Sequence, residues 1–245
     1  MHTRSAIVFG MESGSLAPST RRDFMRRGIA AALGSAGLLD VLAGSTVEAA
    51  PAPVRASRAI SGISMIGDSL TVGSAPYQST DFNTVGWSTA AVNAFNSRSI
   101  HRKEQADTYT GLTAVDAIRD HFGDTNTWVI ALGTNDCIIN PVSDYEKVIV
   151  DMLGRIGSTH RVLWVNVHLP TAKTSETAWN QALLTVARAW QGDMQVYDWA
   201  ALAAAHPEWS TGDHIHYHDV GYRYRAAVVA KASVQAFGAP AFLNW

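Results

Sequence analysis

The chain has 245 residues, 47% apolar and 16% charged, enough for one well-buried core and too few for two ordinary domains once an N-terminal leader is set aside. That balance excludes a disordered chain. Formal net charge is −2, and the residues after 50 carry 14 basic against 17 acidic side chains without a basic run, which argues against a nucleic-acid partner.

In chain order, the first element is an export address. Thr20-Arg21-Arg22-Asp23-Phe24-Met25-Arg26 resembles a twin-arginine motif and precedes a modest apolar stretch, Gly28 to Ala43, interrupted by Asp40. Such an address is read by the twin-arginine export machinery. The stretch is too short and too weakly apolar for a convincing membrane span. Val47-Glu48-Ala49-Ala50 before Pro51-Ala52-Pro53 has the small residues of a cleavage site followed by a linker. The expected organisation is a leader over 1–50, a linker over 51–59 and one domain over 60–245, exported and folded before export. The alternative for the leader is an N-terminal helix that stays attached. Cys137 is the single cysteine, so no internal disulfide is expected, and its reading as a small buried hydrophobe is favoured over that of a nucleophile.

After residue 60 short apolar runs alternate with longer helical patterns. Strands are expected at Ile63 to Ile66, Ala90 to Phe95, Trp128 to Leu132, Val162 to Val167 and Met194 to Tyr197. Their hydrophobicity is continuous rather than alternating, as in strands buried on both faces. Helices are expected from Leu70 onward and over Leu112 to Phe122, Asp144 to Ile156, Glu176 to Trp190 and Val220 to Phe237. Alternation of this kind implies right-handed crossovers and a parallel sheet covered on both faces. Ligands of such open sheets bind at the carboxyl ends of the strands.

The chemistry-bearing residues fall at those ends. Gly67-Asp68-Ser69-Leu70 follows the first strand and Gly133-Thr134-Asn135-Asp136 the third, while Asp213-His214-Ile215-His216 lies near the chain's end. A serine hydroxyl needs a base to become a nucleophile; His216 is the candidate base, with Asp213 orienting its ring. Ser69 at a helix start also reads as a simple N-cap. Asn135 is a candidate donor to the oxyanion, where one such group is worth about 3 kcal/mol of barrier; alone it would read as a turn residue. Asp68 and Asp136 are expected to tie down their loops. His214, His216 and His218 would share one face of an extended segment, where a metal site is the alternative to a Ser-His-Asp arrangement. No second ligand cluster accompanies them, and the expectation is no metal and no cofactor. His218 is the substitute base. His101, His121, His160 and His206 read as loop or surface residues.

Together these blocks resemble the SGNH, or GDSL, hydrolase family in their order along the chain, over Ile60 to about Ala236, with Gly221-Tyr222 closing the last block. The resemblance implies an α/β class fold, a three-layer α/β/α sandwich around a five-stranded parallel flavodoxin-like sheet. It implies catalysis by Ser69, His216 and Asp213, with the oxyanion held by the Ser69 N–H, a glycine N–H and the Asn135 side chain. The chain departs at the glycine block: Val92-Asn93-Ala94-Phe95-Asn96-Ser97-Arg98 places Ser97 where glycine is expected. Ser97 keeps the backbone N–H but not glycine's conformational freedom; Gly86 is a weaker match. Val165-Asn166-Val167, Trp179-Asn180 and Tyr197-Asp198-Trp199 further resemble the SGNH domains of acyltransferases that O-acetylate cell-wall sugars, with Trp179 and Trp199 also readable as core aromatics.

The expected function is an exported serine esterase, acting as a monomer on short-chain acyl or acetyl esters of a carbohydrate or lipid, in or near the cell envelope. The alternatives are an O-acyltransferase using the same site and a non-catalytic envelope-binding module. An α/β-hydrolase is disfavoured because Gly-x-Ser-x-Gly is missing, and P-loop, dinucleotide and zincin signatures are missing too.

Overall fold

The computed structural model describes Ala6–Phe9 and residues 62–101 and 109–237. The twin-arginine segment, the apolar stretch after it, the cleavage region and the linker lie outside the described residues. All described residues fall in one compact unit.

Continuous apolar runs make the strands. β2 (Gly62–Gly67), β3 (Thr89–Ala94), β4 (Thr127–Ala131), β5 (Arg161–Val165) and β6 (Asp193–Tyr197) match the five expected strands within two residues at either end. A sixth, β1 (Ala6–Phe9), pairs parallel to β3 with Ala6 opposite Ala90 and Phe9 opposite Asn93. It falls within the stretch expected to be leader and adds a strand to the five expected from the sequence. The strand order is β1-β3-β2-β4-β5-β6 and every pairing is parallel. The chain passes from β2 to β3 on one side and returns to β4 on the other. The carboxyl ends of β2 and β4 therefore flank the point where strand order reverses, the place where open α/β sheets hold their ligands.

Helices α1 (Ser69–Thr84) and α7 (Asp219–Phe237) cover one face; α2 (Gly111–Phe122), α4 (Tyr145–Ile156) and α5 (Lys173–Ala189) cover the other. Two short helices, α3 (Asp136–Ile139) and α6 (Trp199–Ala204), follow β4 and β6; neither is long enough to leave a helical period in the sequence. Strand residues alternate between the layers: Ile63, Met65, Val129, Leu163 and Val165 face α1 and α7, while Ile66, Trp128, Ile130, Val162 and Trp164 face α2, α4 and α5. Trp128, Trp164 and Trp179 are completely buried, and truncating such a residue to alanine removes about 3–5 kcal/mol of stability.

Candidate active site

Ser69 is placed by the sharp exit from β2. Asp68 is extended and caps α1, its Oδ1 accepting the Leu70 N–H at 3.0 Å. The cap is thus Asp68 and not Ser69, which is the first residue of the helix and half-buried. That frees the Ser69 hydroxyl while leaving it in the favourable field of the helix N-terminus. Asp68 is buried, and desolvation raises its pKa against the opposing pull of Arg225 and Arg98.

The acid and imidazole come from one turn ahead of α7. Asp213 Oδ1 accepts the N–H groups of Ile215 and His216, each at 2.9 Å, and the Thr211 hydroxyl at 2.7 Å. His214 takes a left-handed backbone, φ 57°. The segment is therefore folded around the Asp213 carboxylate, and the three histidines do not line one face of an extended strand as the metal alternative required. Asp213 Oδ2 lies 2.6 Å from His216 Nδ1, and His216 Nε2 lies 3.0 Å from Ser69 Oγ. The bond to His216, then those to the backbone, hold the Asp213 carboxyl well below the usual carboxylate range. A carboxylate only accepts, so it assigns the imidazole proton to Nδ1 and turns the Nε2 lone pair toward Ser69. Behind this turn the Trp199 indole N–H donates to the Tyr217 hydroxyl at 3.0 Å, and Trp199 stacks on Trp209. His218 is exposed, its N–H bound to the Trp209 carbonyl.

Asn135 and Ser97 sit on two loops that interlock. Asn135 Nδ2 donates to the Arg98 carbonyl at 2.9 Å, its second amide hydrogen meeting no acceptor among the described residues, and Asp136 Oδ1 accepts the Ile100 N–H at 2.8 Å. The Phe95 N–H donates to the Gly67 carbonyl at 3.2 Å, which brings the turn after β3 against the strand end that carries Ser69. Ser97 has φ 56° and is exposed. The glycine-like conformation is thus kept although a serine occupies it, a conformation that disfavours an L-residue by about 1–2 kcal/mol. Gly86 lies beyond the far end of α1, just before β3 begins, at the amino ends of the strands and so at the opposite end of the sheet's strands from Ser69. Gly133, with φ 133°, opens the Asn135 loop, and any side chain there would strike the Trp179 indole. Burial, with the Asp68 charge adding to it, pushes the Asp136 carboxyl up to about 7.

Other expected residues have structural partners. Cys137 is buried beside the Thr134 carbonyl, and desolvation pushes its thiol up to about 12, so it is no nucleophile at neutral pH. Asn166 bridges the ends of β5 and β6 through the Asp198 carboxylate at 2.8 Å and the Ala200 N–H at 2.8 Å. Asn180 grips both the N–H and the carbonyl of Val167. Trp179 and Trp199 are core residues. His101, His160 and His206 pair with Asp151, Asp124 and Glu208. Among the described residues no group of three or more His, Cys, Asp or Glu is placed to hold a metal ion. Sequence reasoning missed two buried guanidiniums beside Asp68, those of Arg98 and Arg225; an isolated arginine in a loop or helix carries no signal that it points inward.

No family model matches the sequence, and no curated protein sequence does. Solved structures do match. The C-terminal catalytic domain of peptidoglycan O-acetyltransferase A (OatA) from Streptococcus pneumoniae, with a methylsulfonyl adduct, superposes with TM-score 0.52 at 21% identity, covering 73% of this chain and 96% of that domain. The esterase EstA from Pseudoalteromonas sp. gives 0.55 at 10% identity, covering 71% and 97%. A member of the lipolytic G-D-S-L family from Veillonella parvula gives 0.52 at 13% identity, covering 71% and 97%. The chain has the SGNH/GDSL hydrolase fold. Within that fold the strand β1, beside β3, is an addition to the five-stranded sheet expected from the sequence.

Proposed function

We propose that this protein is a serine esterase that cleaves short-chain acyl or acetyl esters of a carbohydrate or lipid through an acyl-enzyme. The observation that carries the reading is the unbroken chain of contacts from Asp213 Oδ2 to His216 Nδ1 at 2.6 Å and from His216 Nε2 to Ser69 Oγ at 3.0 Å. In this reading Ser69 Oγ attacks the ester carbonyl carbon as His216 Nε2 takes its proton. The carbonyl oxygen becomes an oxyanion facing the Ser69 N–H, the Ser97 N–H and the Asn135 amide. The intermediate collapses, His216 returns the proton to the departing alkoxide, and an acyl-serine remains. A water, deprotonated by the same imidazole, then releases the acid and regenerates the serine. The twin-arginine address supports export of the folded monomer, with a cell-envelope or extracellular substrate.

A second reading uses the same site to pass the acyl group to a sugar hydroxyl instead of water. It is favoured by the Asn166, Trp179-Asn180 and Asp198-Trp199 blocks and by the likeness to the O-acetyltransferase domain. The test is hydrolysis of a p-nitrophenyl ester series from acetate upward, with and without sugar acceptors. Ser69→Ala should abolish turnover and fluorophosphonate labelling with the fold intact by circular dichroism. Turnover retained in that variant would refute the assignment; acceptor-dependent turnover would favour the transferase.

A further inference from the structure

We infer that Arg98 is the positioning residue of the oxyanion turn, an inference that rests on the esterase reading above. Arg98 is only 4% exposed, and burial pulls its guanidinium down to about 10, with the nearby Asp68 charge opposing. Its donors reach three separate elements. Nε donates to the Tyr109 carbonyl at 2.9 Å, just before α2. Nη1 donates to the Gly67 carbonyl at 3.2 Å and to the Asn93 carbonyl at 2.7 Å, at the ends of β2 and β3. Nη2 donates to Asn93 Oδ1 at 2.8 Å. The residue's own carbonyl takes the fourth direction, accepting the Asn135 amide at 2.9 Å.

One side chain and its backbone thus join the strand end that carries Ser69, the turn that carries the Ser97 N–H and the loop that carries Asn135. The connection matters because Ser97, immediately before Arg98, holds a left-handed backbone that a serine would relax if the turn were free. The planar fork of a guanidinium can serve carbonyls on several elements at once. A lysine ammonium, on a flexible stem, cannot hold the same divergent set. Loss of the fork should therefore let the oxyanion donors drift while leaving Ser69, His216 and Asp213 in place, a deficit felt in the transition state and not in ground-state binding.

The experiment is Arg98→Lys assayed on p-nitrophenyl acetate beside wild type and Ser69→Ala. The expected result is kcat lower by about 30-fold or more with KM changed by less than about twofold, the pattern of an interaction made only in the transition state. Affinity for a trifluoromethyl ketone, whose tetrahedral adduct carries an oxyanion, should fall by a similar factor. A purely structural staple would lower the melting temperature without shifting that inhibitor's affinity. Asn93→Ala and Asn93→Asp give a milder pair in case the lysine variant does not fold. The alanine should lower kcat about fivefold at constant KM, and the aspartate, which keeps an acceptor for Nη2, should restore it. A folded Arg98→Lys enzyme with near wild-type kcat and inhibitor affinity, or equal kcat in wild type and both Asn93 variants, overturns the inference and leaves the esterase reading standing. Wild-type protein inert toward every ester removes both.

Discussion

Asp213→Asn is the sharpest single perturbation of the site. In the native turn Asp213 Oδ2 accepts from His216 Nδ1 at 2.6 Å, which keeps the Nε2 lone pair free for the Ser69 proton. An asparagine presenting its NH2 group at that position donates to Nδ1, so the imidazole proton moves to Nε2 and the base becomes a donor toward Ser69. In a triad closed off from water this tautomer change lowers turnover about 10⁴-fold. Here the side chains of His216 and Asp213 are 41% and 48% exposed, so water competes with both partners and weakens the control of one over the other. The expected loss in kcat is about 10²–10³-fold, or about 3–4 kcal/mol of transition-state stabilisation. The remaining carboxamide oxygen can still take the three donors now on Oδ1, from Thr211, Ile215 and His216. The turn should survive, with a melting temperature within about 2 °C of wild type. Steady-state hydrolysis of p-nitrophenyl acetate from pH 6 to 9, beside a thermal melt, tests both parts. A variant that melts like wild type and turns over at a similar rate would show that this carboxylate does not set the tautomer.

Ser97→Gly removes the left-handed penalty and should raise stability by about 0.5–1 kcal/mol after the extra chain entropy of glycine is subtracted, whereas Ser97→Val should lower it; urea midpoints decide, and a destabilised glycine variant would contradict the backbone assignment. Asp136 has a folded-state pKa raised to about 7 from 3.8, so the native state binds its proton more tightly and this group's contribution to stability declines as pH rises from about 4 to about 7. The decline amounts to no more than about 4 kcal/mol. Asp136→Asn keeps an acceptor for the Ile100 N–H and carries no charge, so the stability difference between wild type and variant should shift in favour of the variant between pH 5 and pH 8. A pH-independent difference would place the raised pKa elsewhere.

Much of the sheet was readable because its strands are buried on both faces: Ile63 to Ile66 and Trp128 to Leu132 show as plain apolar runs. The residues that meet in the site were readable only in combination: Ser69 alone also reads as a cap and Asn135 alone as a turn residue, but a hydroxyl, an imidazole with its acid and a carboxamide at strand ends or at one turn before the last helix are together the set that acyl transfer needs. The Ala6–Phe9 strand was hidden by its position in an apparent leader, where an apolar run has a ready alternative explanation. The N-cap went to Asp68 instead of Ser69 because both residues are good caps and only the backbone angle at the strand exit separates them. The metal alternative required His214 in an extended segment, but Asp213 draws the backbone N–H groups around itself and His214 takes a left-handed backbone. Arg98 and Arg225 were invisible because burial of a guanidinium depends on carbonyls and charges supplied by distant parts of the chain.

The site comes in two preassembled pieces. Asp213 and His216 are aligned by bonds confined to one short turn, whereas Ser69, Ser97 and Asn135 are aligned by the sheet ends and the loops locked across them. The pieces meet where His216 Nε2 lies 3.0 Å from Ser69 Oγ. Warming or mild denaturant can consequently part the two halves while each keeps its internal order. Loss of turnover would then run ahead of melting, and cooling would bring it back without refolding.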